Sequence, residues 1–307
     1  MRILVTGATG VIGQRVVKLL IAAGHTVTGV ARTEPKAALL RDMGADPVEV
    51  DLFDPSAVRG AVAGHEAVVN LATKIPPPTQ AARTSAWSET ERIRREASRH
   101  LVDAALEAGA GRFVQESICF IYADRGHAWI DEDVPLDPPP LGRANEAAEA
   151  QARRFTEAGG TGVVLRFGQF YAWDSTHTRY MRRMARLRLP AIPGPKDAYA
   201  SAIAADDAAT AVVAALGAPA GTWNVTDDRP LTRGEFHRTL TETLGVRPPV
   251  TTGSLPLRLS RNLGFYLRSQ RVSNRRFKQA TGWSPRLTDA GAGWRAMVAE
   301  HPNGQGR

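Results

Sequence analysis

The segment Thr6-Gly7-Ala8-Thr9-Gly10-Val11-Ile12-Gly13 constrains this chain more than any other stretch of it. It follows the short apolar run Ile3-Leu4-Val5 and precedes Val16-Val17 and Leu19-Leu20-Ile21 at helical spacing, closed by Ala23-Gly24. Three glycines in a G-x-x-G-x-x-G spacing between a strand and a helix each have a task. One makes a tight turn, one lets the backbone approach a pyrophosphate, and one lets the helix pack closely on the strand. The helix N-terminus adds free N–H groups and the positive end of a dipole. The segment therefore predicts a dinucleotide-binding turn built on Gly7, Thr9, Gly10, Val11, Ile12 and Gly13.

The same alternation continues along the chain. Strands are expected at Thr26–Val30, Pro47–Val50, Ala67–Leu71, Arg112–Glu116 and Gly162–Arg166, with a weaker one at Ser201–Ala204. Helices are expected at Pro35–Met43, Pro55–Ala63, Trp87–Ala108, Asn145–Ala158 and Asp207–Leu216. Short apolar strands separated by helices predict a doubly wound parallel α/β sheet of Rossmann type, covered on both faces. Beyond Thr222-Trp223-Asn224-Val225 the chain turns Pro- and Arg-rich, with shorter helices at Arg233–Leu244 and Asn274–Thr281. This predicts a smaller C-terminal substrate lobe. Residues 1–168 and 200–226 would form the cofactor-binding domain, 169–199 and 227–300 the lobe, and 301–307 a frayed tail.

The second strand ends at Val30-Ala31-Arg32-Thr33. An acidic residue there grips the ribose hydroxyls of NAD, whereas an arginine accommodates the 2′-phosphate of NADP, so Arg32 predicts NADP(H). Asp51 and Leu52 after the third strand, and Leu71, Ala72 and Thr73 after the fourth, fall on the same carboxyl edge, where open α/β sheets bind ligands. A turn or helix-capping role for Asp51 stands beside that reading.

Charge and cysteine content narrow the setting. The net charge of +8 comes from 39 Lys+Arg against 31 Asp+Glu, and only five of the bases are Lys. A GC-rich coding sequence accounts for much of that arginine bias. Arg179, Arg182, Arg183 and Arg186 share a helical face, and Arg268, Arg271, Arg275 and Arg276 form a second group; with no DNA-reading element beside them, nucleic acid is not expected as a partner. The single cysteine, Cys119, cannot form an internal disulfide and reads as a small buried hydrophobe. No apolar run approaches the ~18 residues of a spanning helix, and the seven His show no metal-ligand spacing, so neither membrane nor metal is expected. The expectation is a cytoplasmic protein.

On the motifs Thr6-Gly7-x-x-Gly10-x-x-Gly13, Asp51-Leu52 and Asn70-Leu71-Ala72, the chain resembles the extended branch of the short-chain dehydrogenase/reductase superfamily, the NAD-dependent epimerase/dehydratase group. Trp87, Arg95-Glu96-Ala97-Ser98-x-x-Leu101, Ile203–Ala209, Trp223–Asp227 and Thr281-Gly282-Trp283-Ser284-Pro285 extend the likeness over nearly the whole chain. The resemblance implies a small-molecule substrate, and a homodimer formed through the helices of the fourth and fifth crossovers. It also implies a catalytic Ser or Thr, a Tyr-x-x-x-Lys and a supporting Asn. Here the Tyr position is Leu141 and the Lys position Asn145, Ile118 stands at the hydroxyl position with Ser117 one residue early, and Arg94 replaces the Asn. A leucine has no exchangeable proton, which removes an acid–base contribution of roughly 10²–10⁴-fold.

Three readings stay open. The chain could be an NADP-dependent oxidoreductase or epimerase-like enzyme with a displaced proton donor, for which Ser117 and Tyr122 are the catalytic candidates. It could be a non-redox cyclase or isomerase that holds NADP structurally, or a regulatory protein that senses NADP. Lys74, Trp129, Tyr171 and Trp173 are the candidates for the substrate pocket, with core packing as the competing role for the aromatic residues.

Overall fold

The computed structural model describes residues 1–249, Leu257 and 263–301. The strands are β1 (Arg2–Thr6), β2 (Thr26–Val30), β3 (Asp46–Val48), β4 (Ala67–Asn70), β5 (Arg112–Ile118), β6 (Trp129–Ile130), β7 (Thr161–Phe167), β8 (Gln169–Tyr171), β9 (Tyr199–Ala200), β10 (Ala202–Ala204), β11 (Gly221–Val225), β12 (Leu231–Thr232) and β13 (Arg271–Val272). The helices are α1 (Val11–Ala22), α2 (Glu34–Asp42), α3 (Pro55–Val62), α4 (Ser88–Arg92), α5 (Ser98–Glu107), α6 (Arg143–Glu157), α7 (Thr176–Arg186), α8 (Ala205–Ala214), α9 (Arg233–Thr243), α10 (Arg275–Thr281) and α11 (Ala290–Glu300).

Seven strands form one parallel sheet in the order β11-β7-β5-β4-β1-β2-β3. The order reverses between β1 and β4, so the carboxyl ends of these two neighbours mark the switch point at which such sheets open a ligand crevice. The strands are apolar because both faces are covered. Ile3 and Val5 pack on one side with Val16, Val17 and Leu20 of α1 and Ala208, Ala211 and Val212 of α8. Leu4 and Val68 face the other side, against Val58 and Val62 of α3, Leu101 and Ala105 of α5 and Phe155 of α6. Successive side chains alternate across the pleat, which sends Leu4 away from its neighbours.

Three expectations change. The helix expected over Trp87–Ala108 is interrupted: α4 and α5 are joined by a π-helical turn at Ile93–Ala97, whose extra residue shifts the register and accompanies the burial of Arg94. The strand expected at Ser201–Ala204 is β10, which pairs with β8 outside the main sheet. His301, expected in a frayed tail, stacks on Trp173 with ring centroids 4.7 Å apart; the rest of that tail, 302–307, lies outside the described residues.

A further core gathers Tyr171, Met181, Ala185 and Ile192 with Phe236, Leu240, Ala290 and Trp294, so the segment around α7 and the chain beyond β12 share one interior. Ala200, Ala202 and Ala204 belong to this core too.

Candidate active site

The glycine turn is shaped by close approaches that exclude side chains. Gly7 has φ +67°, and a Cβ there would stand 2.4 Å from the Leu71 carbonyl oxygen and 2.9 Å from the Ala72 nitrogen. At Gly13 a Cβ would stand 2.1 Å from the Gly7 carbonyl oxygen, so the helix rests on the turn with no space between. Gly10 is the N-cap of α1 and no side chain caps it, which leaves the first amides, from Val11 and Ile12 onward, open to an anion. The Thr9 carbonyl accepts from Gln14 Nε2 at 3.0 Å. Asn70 ties the floor together: it accepts from Thr6 Oγ1 at 2.6 Å and donates to Ser98 Oγ and Gln115 Oε1 at 3.2 and 2.9 Å. A glycine cradle with an uncapped helix end fits a dinucleotide pyrophosphate.

Along the same edge, Asp51 Oδ1 accepts from the Phe53 amide at 2.9 Å, a turn-stabilising role just ahead of Asp54, which caps α3. The Leu52 carbonyl bonds the His100 ring at 3.1 Å. Thr73 is exposed. Arg32 projects from the end of β2, and its Nη1 meets Glu89 Oε1 at 3.4 Å. Lys74 Nζ donates to the other oxygen of the same carboxylate. Lys74 therefore stands with Arg32 on the β2 side of the turn. Glu89, a half-buried residue of the first turn of α4, carries no motif, and only the folded chain puts it between two bases.

At the positions that the resemblance gives to the catalytic Tyr and Lys stand Leu141 and Asn145. Leu141 is buried. Asn145 is fully buried and accepts from Arg94 Nη1 at 2.9 Å, while Arg94 Nη2 lies 3.3 Å from Glu116 Oε1. The positions that the resemblance gives to Lys and Asn thus bond directly to each other, and the cation is matched by a buried carboxylate.

Ser117 and Tyr122 are fully buried as well. The Ser117 hydroxyl donates to Glu149 Oε1 at 2.6 Å, and Arg166 binds Glu149 through both oxygens at 2.9 and 2.6 Å. Arg166 Nη1 also donates to the Tyr122 hydroxyl, which donates to Asn224 Oδ1 at 2.9 Å. Burial pushes the Tyr122 phenol and the Cys119 thiol well above their ordinary ranges, and the thiol donates to the Arg166 carbonyl. Both candidates, Ser117 and Tyr122, thus lie in the interior with their hydroxyls bonded to protein groups.

The candidate substrate residues fall in three places. Lys74 is with Arg32. Trp129, 48% exposed, lies under the Arg271 guanidinium, which is 4.1 Å from its ring centroid and 5.0 Å from that of Tyr199. Tyr171 and Trp173 line a cavity of about 250 Å³ between α1, α8 and α11, together with Arg15 and Met297. Tyr171 is itself buried and donates to Asp227 at 3.1 Å. The arginine groups divide as well: Arg182 is buried over Trp173 and so leaves the shared exposed face, Arg268 pairs with Asp137, and Arg276 contacts Asp131, Glu132 and Asp133. Among the described residues, no helix is long and apolar enough to cross a membrane.

Residues 3–226 match the profile of the NAD dependent epimerase/dehydratase family. The chain is 36% identical over 306 residues to a 3-diazoavenalumate denitrifying reductase of Streptomyces sp, covering 93% of this chain and 96% of that one. It is 27% identical to a 4-hydroxy-2-methyl-3-oxo-4-farnesyl-3,4-dihydroquinoline-1-oxide ketoreductase of Stigmatella aurantiaca, covering 85% and 78% of the two chains. Among solved structures, a human epimerase family protein with NADPH superposes with a TM-score of 0.81 at 25% identity, over 97% and 99% of the two chains. The UDP-glucose 4-epimerase of Thermotoga maritima, with UDP-glucose, gives 0.79 at 21% identity, over 99% of each chain.

Proposed function

The chain belongs to the NAD dependent epimerase/dehydratase family, whose nicotinamide cofactor it shares, and on that premise we propose that it is an NADPH-dependent reductase that replaces the diazo group of an aromatic substrate with hydrogen. The observation that carries this reading is the missing proton donor, with Leu141 and the Arg94–Asn145 pair at the catalytic positions. Reduction of a carbonyl leaves an alkoxide that must be protonated, and the ketoreductase relative suggests that chemistry. A bound reduced nicotinamide supplies hydride, and displacement of N2 from an arenediazonium carbon by hydride is balanced with no proton transferred. The 36% identity to a denitrifying reductase supports the same choice.

Gly7, Gly10, Gly13 and the uncapped start of α1 would hold the pyrophosphate. Arg32 supports NADPH over NADH, in line with the human relative. On the substrate side, Trp129 offers an aromatic face and Arg271 a cation that meets no carboxylate among the described residues, a combination suited to an aromatic carboxylate.

The test supplies NADPH, deuterated at the transferred position, with an arenediazonium that bears a carboxylate. The expected result is equal consumption of NADPH and release of N2, with deuterium on the vacated ring carbon. Turnover of carbonyl substrates without any N2 release would overturn the proposal.

A further inference from the structure

We propose that Lys74 joins Arg32 as a second cation for the 2′-phosphate of NADP(H), and that Glu89 is an internal counter-charge between them that this phosphate displaces, which makes Glu89 the residue that sets the strength of the cofactor preference. The inference rests on the NADP(H) reading above. Arg32 and Lys74 leave the carboxyl ends of β2 and β4, the two strands that flank β1 and its glycine turn. They reach opposite oxygens of one carboxylate, Arg32 to Oε1 and Lys74 to Oε2. Their side chains are 60% and 58% exposed, against 33% for Glu89, so the bases are open to a ligand and the carboxylate fills the space between them.

The placement is anchored from beneath. Thr90, the residue after Glu89, is buried, and its hydroxyl donates to the Lys74 carbonyl. The backbone of Lys74 is thus fastened to the helix that carries Glu89. The hydrogen bond from Lys74 is the largest influence holding the Glu89 carboxyl below its usual range, so the carboxylate is charged at neutral pH.

One carboxylate against two bases leaves a net positive site. A phosphate brings close to two negative charges and three acceptor oxygens, enough to take over both cations. While Glu89 stays, it competes with that phosphate and with nothing on NADH, which lacks one. Removing its charge should therefore act on one cofactor only.

The experiment uses the whole chain and reads binding directly, by calorimetry with NADPH, NADH, 2′,5′-ADP and 5′-ADP. Glu89→Gln should tighten NADPH and 2′,5′-ADP by about fivefold, the scale of an exposed ion pair, and leave NADH and 5′-ADP unchanged. Lys74→Met should weaken the two phosphorylated ligands by about the same factor. Weaker NADH binding in Glu89→Gln would overturn the proposal, since it would mean that the carboxylate grips the ribose hydroxyls of NAD. A silent Lys74→Met would overturn it too. Arg32→Ala separates the two levels: if it abolishes the NADPH preference while Glu89→Gln and Lys74→Met are silent, only this inference fails, and if it leaves the preference intact, the NADP(H) reading fails.

Discussion

Glu149 has no exposed surface, yet its carboxylate oxygens take two bonds from Arg166 and one from Ser117. A buried ion pair of this kind adds little net stability, but losing one member strands the other in a medium that cannot solvate it. Glu149→Ala should therefore destabilise the fold by about 3–5 kcal/mol, read as a shift in the urea midpoint. Tyr122→Phe removes only the hydroxyl between Arg166 and Asn224 and should cost about 1–2 kcal/mol, with turnover per folded molecule unchanged because that hydroxyl meets no solvent. A specific loss of turnover in Tyr122→Phe would return the residue to the catalytic set. Ser117 and Tyr122 are near one another along the chain, but Glu149 lies on α6 and Arg166, which binds both Glu149 and Tyr122, on β7. No local pattern announces that bond.

At the scale of elements, the glycine turn and the alternating strands were legible because they follow from short-range sterics and side-chain period. The interruption at Ile93–Ala97 was not legible, because a π-helical turn looks like an ordinary helix in sequence and is stabilised by what its displaced residues meet, here Arg94 against Asn145 and Glu116. The anchoring of α9 makes a testable case. His237 Nε2 accepts the Ile192 amide at 3.1 Å, so the ring is neutral and holds the loop that follows α7. Burial, with nearby Arg233 adding to it, pushes this histidine down to about 4. Its folded pKa lies below the ordinary value of about 6.5, so the native state resists protonation. The stability it contributes is complete above pH ~6.5 and is lost as pH falls toward 4, by at most about 3 kcal/mol. His237→Gln should flatten that part of the urea midpoint against pH. Burial shifts His65 and His177 in the same direction, so the wild-type acid limb should be only partly removed.

On the scale of the whole molecule, the excursion after β5 is sewn to the C-terminal segment. Arg268 Nη1 donates to the Tyr122 carbonyl at 3.0 Å and to that of Asp137, its Nη2 pairs with the Asp137 carboxylate at 2.7 Å, and Gln270 Nε2 donates to the Tyr122 carbonyl at 2.6 Å. The β6–β13 pairing continues this seam. Arg268→Ala should speed amide exchange in the segments 122–137 and 265–273 by about tenfold, the equivalent of one or two charge-assisted bonds, while cofactor binding at the glycine turn is unchanged. Uniform faster exchange throughout the sheet would contradict a local seam. Several of the arginines are paired within such contacts, as with Arg15 on Asp174 and Asp206 and Arg276 on its acidic run, which leaves the net +8 unchanged. The sequence by itself determined the class of fold, the glycine cradle and the presence of Leu141 and Asn145 where the resemblance expects Tyr and Lys, since each is a matter of residue identity at fixed local spacing. Tertiary structure alone decided that Arg94 meets Asn145, that Ser117 and Tyr122 face inward, and that Glu89 stands between Arg32 and Lys74. Those outcomes depend on which side chains the crossovers bring within 3–4 Å of one another, and electrostatics and burial act on that distance rather than on separation along the chain.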